Sequence, residues 1–157
     1  MEPFTGWIEQ TWLSIWVREA PTLAAFPLVL IFHTVGLGFL VGPALALDLR
    51  LLGFASDMPL AAVRKFVPVV WVGFVMNATS GVLLLIAYPT KNLTNPIFYV
   101  KISCIAAGMW IWLELAKQDE ITARVRRLAM SSIVIWATAV TAGRLLAYTY
   151  KHLMAGE

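Results

Sequence analysis

The stretch AFPLVLIFHTVGLGFLVG, residues 25–42, contains no charged side chain and a single histidine, His33, near its middle. An uninterrupted apolar run of this length is typical of a helix that crosses a bilayer, which needs about 20 residues. The stretch therefore predicts a membrane-spanning helix. An imidazole is an unusual side chain to find inside one.

The composition of the whole chain indicates the same class of protein. The 157 residues suit one domain, 60% of them are hydrophobic and only 13% are charged, and the mean hydropathy is +0.77. Soluble domains carry about 25% charged residues, so we expect an integral membrane protein. The net charge of +3 is too small to indicate a nucleic-acid partner, and the one cysteine, Cys104, excludes an intrachain disulfide.

The hydropathy pattern predicts four spanning segments in a single membrane domain, residues 1–157. Because a lipid-exposed backbone must satisfy its own hydrogen bonds, each segment is expected to be a helix. Ahead of the first segment, residues 7–18 place apolar side chains on one helical face, which predicts an amphipathic helix in the membrane interface rather than a frayed tail. The fold class is therefore an all-α, integral membrane four-helix bundle with an N-terminal interfacial helix. The predicted spans are residues 22–47, 66–88, 97–115 and 128–150.

The distribution of Lys and Arg predicts the orientation. Seven of these residues fall in the loops after the first and third spans, and both loops lie on the same side of a four-span bundle: Arg50, Arg64, Lys65, Lys117, Arg124, Arg126 and Arg127. Short cytoplasmic loops are rich in Lys and Arg. In a bacterial inner membrane, both termini are therefore expected to be periplasmic.

Counting along the predicted helices at about 1.5 Å per residue puts one histidine, one amide and two thioethers in the middle of the bundle. These are His33, Asn77, Met76 and Met109. An ionisable residue inside a membrane is a candidate functional residue. The alternative is that a neutral His33 only joins helices, by bonding to a backbone carbonyl, Asn77 or Thr138, a contribution of about 1 kcal/mol.

The functional interpretation of these residues in the middle of the bundle is that they bind a cofactor. Neutral imidazole is a standard axial ligand of haem iron, and methionine can be the second ligand. In this interpretation His33 is the metal ligand of a b-type haem, and Asn77 lies beside it. The second ligand of the iron is Met109 or Met76, or the iron is five-coordinate. Lys101 and Arg144, both toward the periplasmic side, are candidate partners for the haem propionates. Their alternative role is to extend toward lipid headgroups.

Two further patterns concern packing. Stripes of small residues run along spans one and two and predict close helix contacts, possible also between copies of the chain in a homo-oligomer. They comprise Thr34, Gly38, Gly42 and Ala46, and Gly73, Asn77, Ser80 and Gly81. Near the cytoplasmic end, Asp48 and Arg50 are expected to pair with Glu114 or with the basic residues before span four.

Several motifs together resemble a known family: His33 in the first span, DLRLLG at 48–53, WVGFVMNATSG at 71–81, NPIFYVK at 95–101 and AGRLLAY at 142–148. They resemble a family of small bacterial four-helix inner-membrane proteins of unknown function, distantly similar to the membrane domain of copper-resistance D proteins. The resemblance extends over nearly the whole chain from Phe26 onward. It implies the fold and the location, and it brings no established activity.

Two functions remain open from the sequence. The first is a haem-binding electron-transfer module that passes electrons between a quinone and a periplasmic redox partner. The second is a non-redox protein: a small transporter, a copper-handling protein or a structural subunit of a larger membrane complex. The sequence has no nucleotide-binding loop and no paired carboxylates at span centres, so no catalytic activity of its own is expected beyond electron transfer.

Overall fold

The computed structural model describes residues 2–22, 24–54 and 56–154, and side chains within 4–22, 24–54 and 56–148. This part of the chain forms helices and no strand, which confirms the all-α prediction. The helices are α1 (Glu2–Glu9), α2 (Trp12–Glu19), α3 (Phe26–Leu52), α4 (Leu60–Arg64), α5 (Val67–Ala87), α6 (Pro89–Leu93), α7 (Pro96–Leu115) and α8 (Ala123–Met154).

Four segments are long and apolar enough to cross a membrane, so the chain is a multi-pass membrane protein in a lipid bilayer. They are Phe26–Leu52, Leu60–Ala87, Pro96–Ala116 and Ala123–Tyr148. Several bounds differ from the predicted ones, among them the start of the first span, at Phe26 rather than at residue 22, and two of the differences have a local reason. α3 continues five residues past position 47 because its stop signal is Gly53, in the left-handed conformation with φ 105°. α8 begins before position 128 because Thr122 Oγ1 accepts a hydrogen bond from Val125 N.

The N-terminal segment is not one helix over 7–18. It is two helices, α1 and α2, separated at Gln10 and Thr11. Thr11 has an extended backbone and its side chain accepts a hydrogen bond from Ser14 N, so it starts a new helix. α2 packs against α5 and α1 against α6. Trp7 and Trp12 face outward, and their predicted position in the membrane interface stays a prediction.

The closest helix pair is α3 with α5, and glycines make it possible. A Cβ built on Gly73 would lie 2.6 Å from the Phe39 carbonyl carbon, and one on Gly36 would lie 2.8 Å from Asn77 N. The backbones therefore touch at these two residues. Gly38 and Gly42, in contrast, have no atom within 4 Å of such a Cβ. The stripe predicted on span two does pack, whereas the one on span one faces away from the bundle.

The other strong pairing joins α7 and α8, and α3 contacts α8 to link the two pairs. The main apolar core lies toward the end of this arrangement where α3 and α7 finish and α8 begins. It includes Leu40, Leu51, Met109, Trp112 and Trp136, all at most 7% exposed. The opposite end is less densely filled, and His33 is found there, two turns from the start of α3.

Candidate functional site

The imidazole of His33 is held by Ser80 of α5. His33 Nδ1 lies 3.0 Å from Ser80 Oγ. The same hydroxyl lies 2.6 Å from the Met76 carbonyl oxygen and 3.2 Å from that of Asn77. A hydroxyl has one proton, and carbonyl oxygens only accept. The structure has Ser80 donating to the carbonyl oxygens of its own helix, and in that arrangement the Nδ1–H of His33 donates to Ser80 Oγ. This arrangement fixes the tautomer of the ring, with the proton on Nδ1 and the lone pair on Nε2.

The lone pair on Nε2 faces Lys101 of α7. Lys101 Nζ lies 3.4 Å from His33 Nε2, so the ammonium donates to the imidazole. No carboxylate among the described side chains lies within salt-bridge distance of Lys101. Asn77, which is 5% exposed, donates from Nδ2 to the backbone oxygen of His33 at 3.0 Å. Three helices thus meet at one histidine.

Two cavities open beside the His33–Lys101 pair. The inner cavity has a volume of about 330 Å³ and lies between α5 and α7, with apolar walls that include Phe74, Val82 and Ile105. The outer cavity, of about 190 Å³, lies toward the ends where α3 begins and α8 finishes. Both cavities are lined by His33, Gly81, Leu85, Phe98 and Lys101. The polar pair therefore stands where the two cavities meet.

The outer cavity adds a second amine. Lys91 of α6 lines it together with Tyr88 and Asn92, and Lys91 Nζ lies 5.7 Å from the centroid of the Tyr88 ring. Burial lowers the pKa of Lys91 below its usual value. Two basic side chains, Lys91 and Lys101, therefore converge on a space whose remaining walls are largely apolar. Such a space suits a ligand with an anionic end and an apolar body.

The structure brings together three of the six predicted site residues, His33, Asn77 and Lys101. The other three do not line either cavity. Met76 has its Cβ beside Gly36, and Met109 lies two turns beyond Lys101, about 12 Å farther along α7, within the main core. Arg144 is exposed, although its neighbour Gly143 lies against the stem of Lys101.

Two residues of the site were not predicted as such. Ser80 was noted only as a small residue of the α5 stripe, yet its spacing of three from Asn77 places both on one helix face. Lys91 was not singled out from the sequence. Lys91 lies at the cavity because it belongs to the short helix α6 between α5 and α7. The hydropathy pattern does not predict this helix. Thr138, the other suggested partner of His33, instead donates to the Val134 carbonyl oxygen.

The chemistry available at this site follows from its donor set. His33 offers one imidazole nitrogen, Nε2, whose lone pair faces Lys101. Metal-binding histidines typically donate their other ring N–H to an oxygen acceptor, as His33 does to Ser80. The described residues contain no group of three or more His, Cys, Asp or Glu side chains that could hold a metal ion. His33 is therefore the one imidazole that the described residues bring to the two cavities.

Comparisons with protein-family models, with curated proteins and with solved structures found no match for this chain. The resemblance to the small four-helix family and to copper-resistance D proteins therefore stays a prediction.

Proposed function

We propose that this protein is an electron-transfer module of the bacterial inner membrane that binds a b-type haem at His33. The observation that carries the proposal is the fixed tautomer of His33. Its Nδ1 proton is committed to Ser80, so Nε2 presents a lone pair where two cavities meet, and neutral imidazole is a common axial ligand of haem iron. When bound, the haem supplies one-electron redox chemistry that no side chain here provides.

Lys101 has two parts to play in this proposal. Its ammonium now covers Nε2 at 3.4 Å, so it must move for His33 to act as a ligand, and its flexible four-carbon stem permits that movement. Displaced into the outer cavity, Lys101 joins Lys91, and the two amines bind the two propionates. Lys91 thereby replaces Arg144 as the second propionate partner, because Lys91 lines the cavity and Arg144 does not.

The cavities offer less support for a second protein ligand of the iron. Neither Met76 nor Met109 lines the cavities, so His33 would be the one protein ligand of the iron. The mostly apolar walls keep water from the group and favour a neutral imidazole over a charged one. Asn77, bonded to the His33 carbonyl, holds α3 and α5 in register around the ligand.

The surroundings of the site suggest its partners. The Lys- and Arg-rich ends of the helices lie opposite the cavities along α3, which supports a periplasmic position for the site and for both chain termini. A quinone in the bilayer and a periplasmic redox protein are the electron partners we propose. The outward-facing Gly38 and Gly42 support a homo-oligomer or a place in a larger membrane complex.

The test is a visible absorption spectrum of protein purified in mild detergent from cells with adequate haem supply, oxidised and then reduced with dithionite. We expect a Soret band and reduced α and β bands, lost in His33→Ala. The control is His152→Ala, which removes the second histidine of the sequence and should leave the spectrum unchanged. A colourless wild-type protein, or a Soret band that survives in His33→Ala, contradicts the proposal.

One contact favours a second candidate function, a small non-redox transporter. The Lys101 ammonium already satisfies His33 Nε2, so the pair is complete without a metal and presents a positive charge to both cavities. An anionic ligand with an apolar body would then bind Lys101 and Lys91 directly. No particular contact favours the copper-handling or structural-subunit alternatives.

The two candidates differ in what Lys101→Met does. If haem binds, removing the amine uncovers Nε2, so the Soret band should persist, with haem affinity lowered by the loss of one propionate contact. If an organic anion binds at the amine, native mass spectrometry of the colourless protein should show a bound ligand that is lost in Lys101→Met and retained in Lys65→Met, which removes an exposed cytoplasmic lysine.

A further inference from the structure

A second polar site lies at the other end of α3. Asp48 is 0% exposed, and neither of its carboxylate oxygens has a hydrogen-bond partner among the described residues. It is fifteen residues from His33 on the same helix, about 22 Å away, so it does not belong to the cavity site. The sequence suggested that Asp48 pairs with Glu114 or with the basic residues before α8, and that prediction is wrong.

The side chains around Asp48 are apolar. Its helix neighbours Ala44, Leu47 and Leu51 all belong to the main core, together with Leu115 of α7 and Ala129 of α8. An ionised carboxylate in such surroundings is strongly unfavourable without a cation or hydrogen-bond donors, and a buried acid in that position takes up a proton instead.

No described cation compensates Asp48, because the basic side chains near this end are engaged elsewhere or face outward. Arg50 donates to the backbone oxygens of Met58 and Ser56 at 2.5 and 2.8 Å. Arg64 of α4 pairs with Asp119 at 2.7 Å. On α7, Glu114 is the acid at this end, and it pairs with Lys117 at 3.0 Å. α5 contributes no charged residue, and the remaining basic side chains are exposed: Lys65, Arg124, Arg126 and Arg127.

One polar side chain lies in the same core on α8, Ser132, on the inward face that also carries Ala129 and Trp136. Ser132 is also 0% exposed, and its hydroxyl is unbonded. In contrast, the hydroxyls of Thr34, Ser80 and Thr138 donate to a carbonyl one turn earlier in their helices. The Ser132 oxygen is thus available to Asp48. The indole N–H groups of Trp112 and Trp136, buried in the same core, make no bond to the carboxylate either.

We propose that Asp48 and Ser132 form a buried proton-binding site, in which Asp48 is a neutral carboxylic acid whose O–H donates to the Ser132 oxygen. The ligand is one proton, taken up by the carboxylate on folding and returned when the site opens to water. The hydrogen bond joins α3 to α8, the contact that links the two helix pairs. Loss of the proton leaves a charge between these helices and favours their separation at the cytoplasmic end.

The test is infrared spectroscopy of the full-length protein in bicelles at pH 6, where solvated aspartates and glutamates are ionised. A protonated carboxylic acid has a carbonyl stretch well separated from those of carboxylates and amides, and this band moves to lower frequency in D₂O. We expect one such band in the wild-type protein, absent in Asp48→Asn and shifted to higher frequency in Ser132→Ala, which removes the acceptor. Glu114→Gln, which changes an ion-paired and half-exposed acid, is the matched control and should keep the band.

The absence of a protonated-acid band in the wild type would overturn the proposal, and so would a band that persists in Asp48→Asn. Stability provides a second measurement. The folded state binds one proton more than the unfolded state between the pKa of a solvated aspartate, about 3.9, and neutral pH. The free energy of unfolding should therefore fall as the pH rises from 5 to 7.5 in the wild type. Asp48→Asn should abolish this dependence, whereas Glu114→Gln should retain it.

Discussion

Replacing Gly73 by alanine should destabilise the bundle, because the new methyl group has no room between α3 and α5. Its carbon would lie 2.6 Å from the Phe39 carbonyl carbon and 2.8 Å from the Gly36 oxygen, whereas ordinary van der Waals contact begins at 3.4 Å. All three nearest atoms belong to the backbone of α3, so no side chain can rotate away. The two helices would have to separate by about 1 Å.

The magnitude follows from two opposing contributions. Overpacking of this kind costs about 1–3 kcal/mol, while alanine in place of glycine in a helix contributes about 0.4–1 kcal/mol of stability through the unfolded chain. We expect Gly73→Ala to lower the free energy of unfolding by about 1.3 kcal/mol, roughly a 10-fold change in the unfolding equilibrium. The separation would also widen the distance from Asn77 to His33, so the site should lose its ligand in the same variant.

The assay is reversible unfolding in mixed micelles of SDS and mild detergent, followed by tryptophan fluorescence at a low protein-to-detergent ratio. Gly38→Ala and Gly42→Ala are matched controls, since each puts the same methyl group on α3 where no atom lies within 4 Å. Both should be neutral or more stable by up to about 1 kcal/mol. The assignment of the α3–α5 contact to Gly36 and Gly73 would be refuted if Gly73→Ala were stable while Gly38→Ala and Gly42→Ala were strongly destabilised.

Three further predictions concern single contacts. Asn77→Leu removes the bond to the His33 carbonyl and should cost about 1 kcal/mol in the same unfolding assay; a loss above about 3 kcal/mol would mean that Asn77 does more than join two helices. Ser80→Ala removes the acceptor of the His33 Nδ1 proton and should weaken haem binding about 10- to 100-fold with little change in stability; unchanged haem affinity would count against the fixed tautomer. Burial lowers the pKa of Lys91, so above neutral pH the unfolded chain binds more protons than the folded one, and the free energy of unfolding should rise with alkaline pH. Lys91→Gln should flatten that rise, and an equal slope in both proteins would show that Lys91 is not responsible.

The sequence alone determined the class of the protein, the number of spans and the general position of the site. Each of these depends on one-dimensional information: the length of apolar runs, which the bilayer thickness fixes, and the cost of an ionisable residue inside them. His33, Asn77 and Lys101 were identified because polar side chains in such segments are rare. Two errors in the bounds, at Gly53 and at Thr122, arose because capping residues continue or start a helix beyond the apolar run.

Only the tertiary structure decided which faces of the helices meet. The stripe containing Gly38 and Gly42 and the one containing Gly73 look alike in sequence, and only the packing of α3 on α5 distinguishes an inward face from an outward one. The same holds for the partners of each polar side chain: Ser80 rather than Asn77 bonds the His33 ring, and Asp48 pairs with no cation. The physical reason is that a hydrogen bond depends on contacts within about 3 Å between different helices, whereas hydropathy fixes only that each helix is in the membrane.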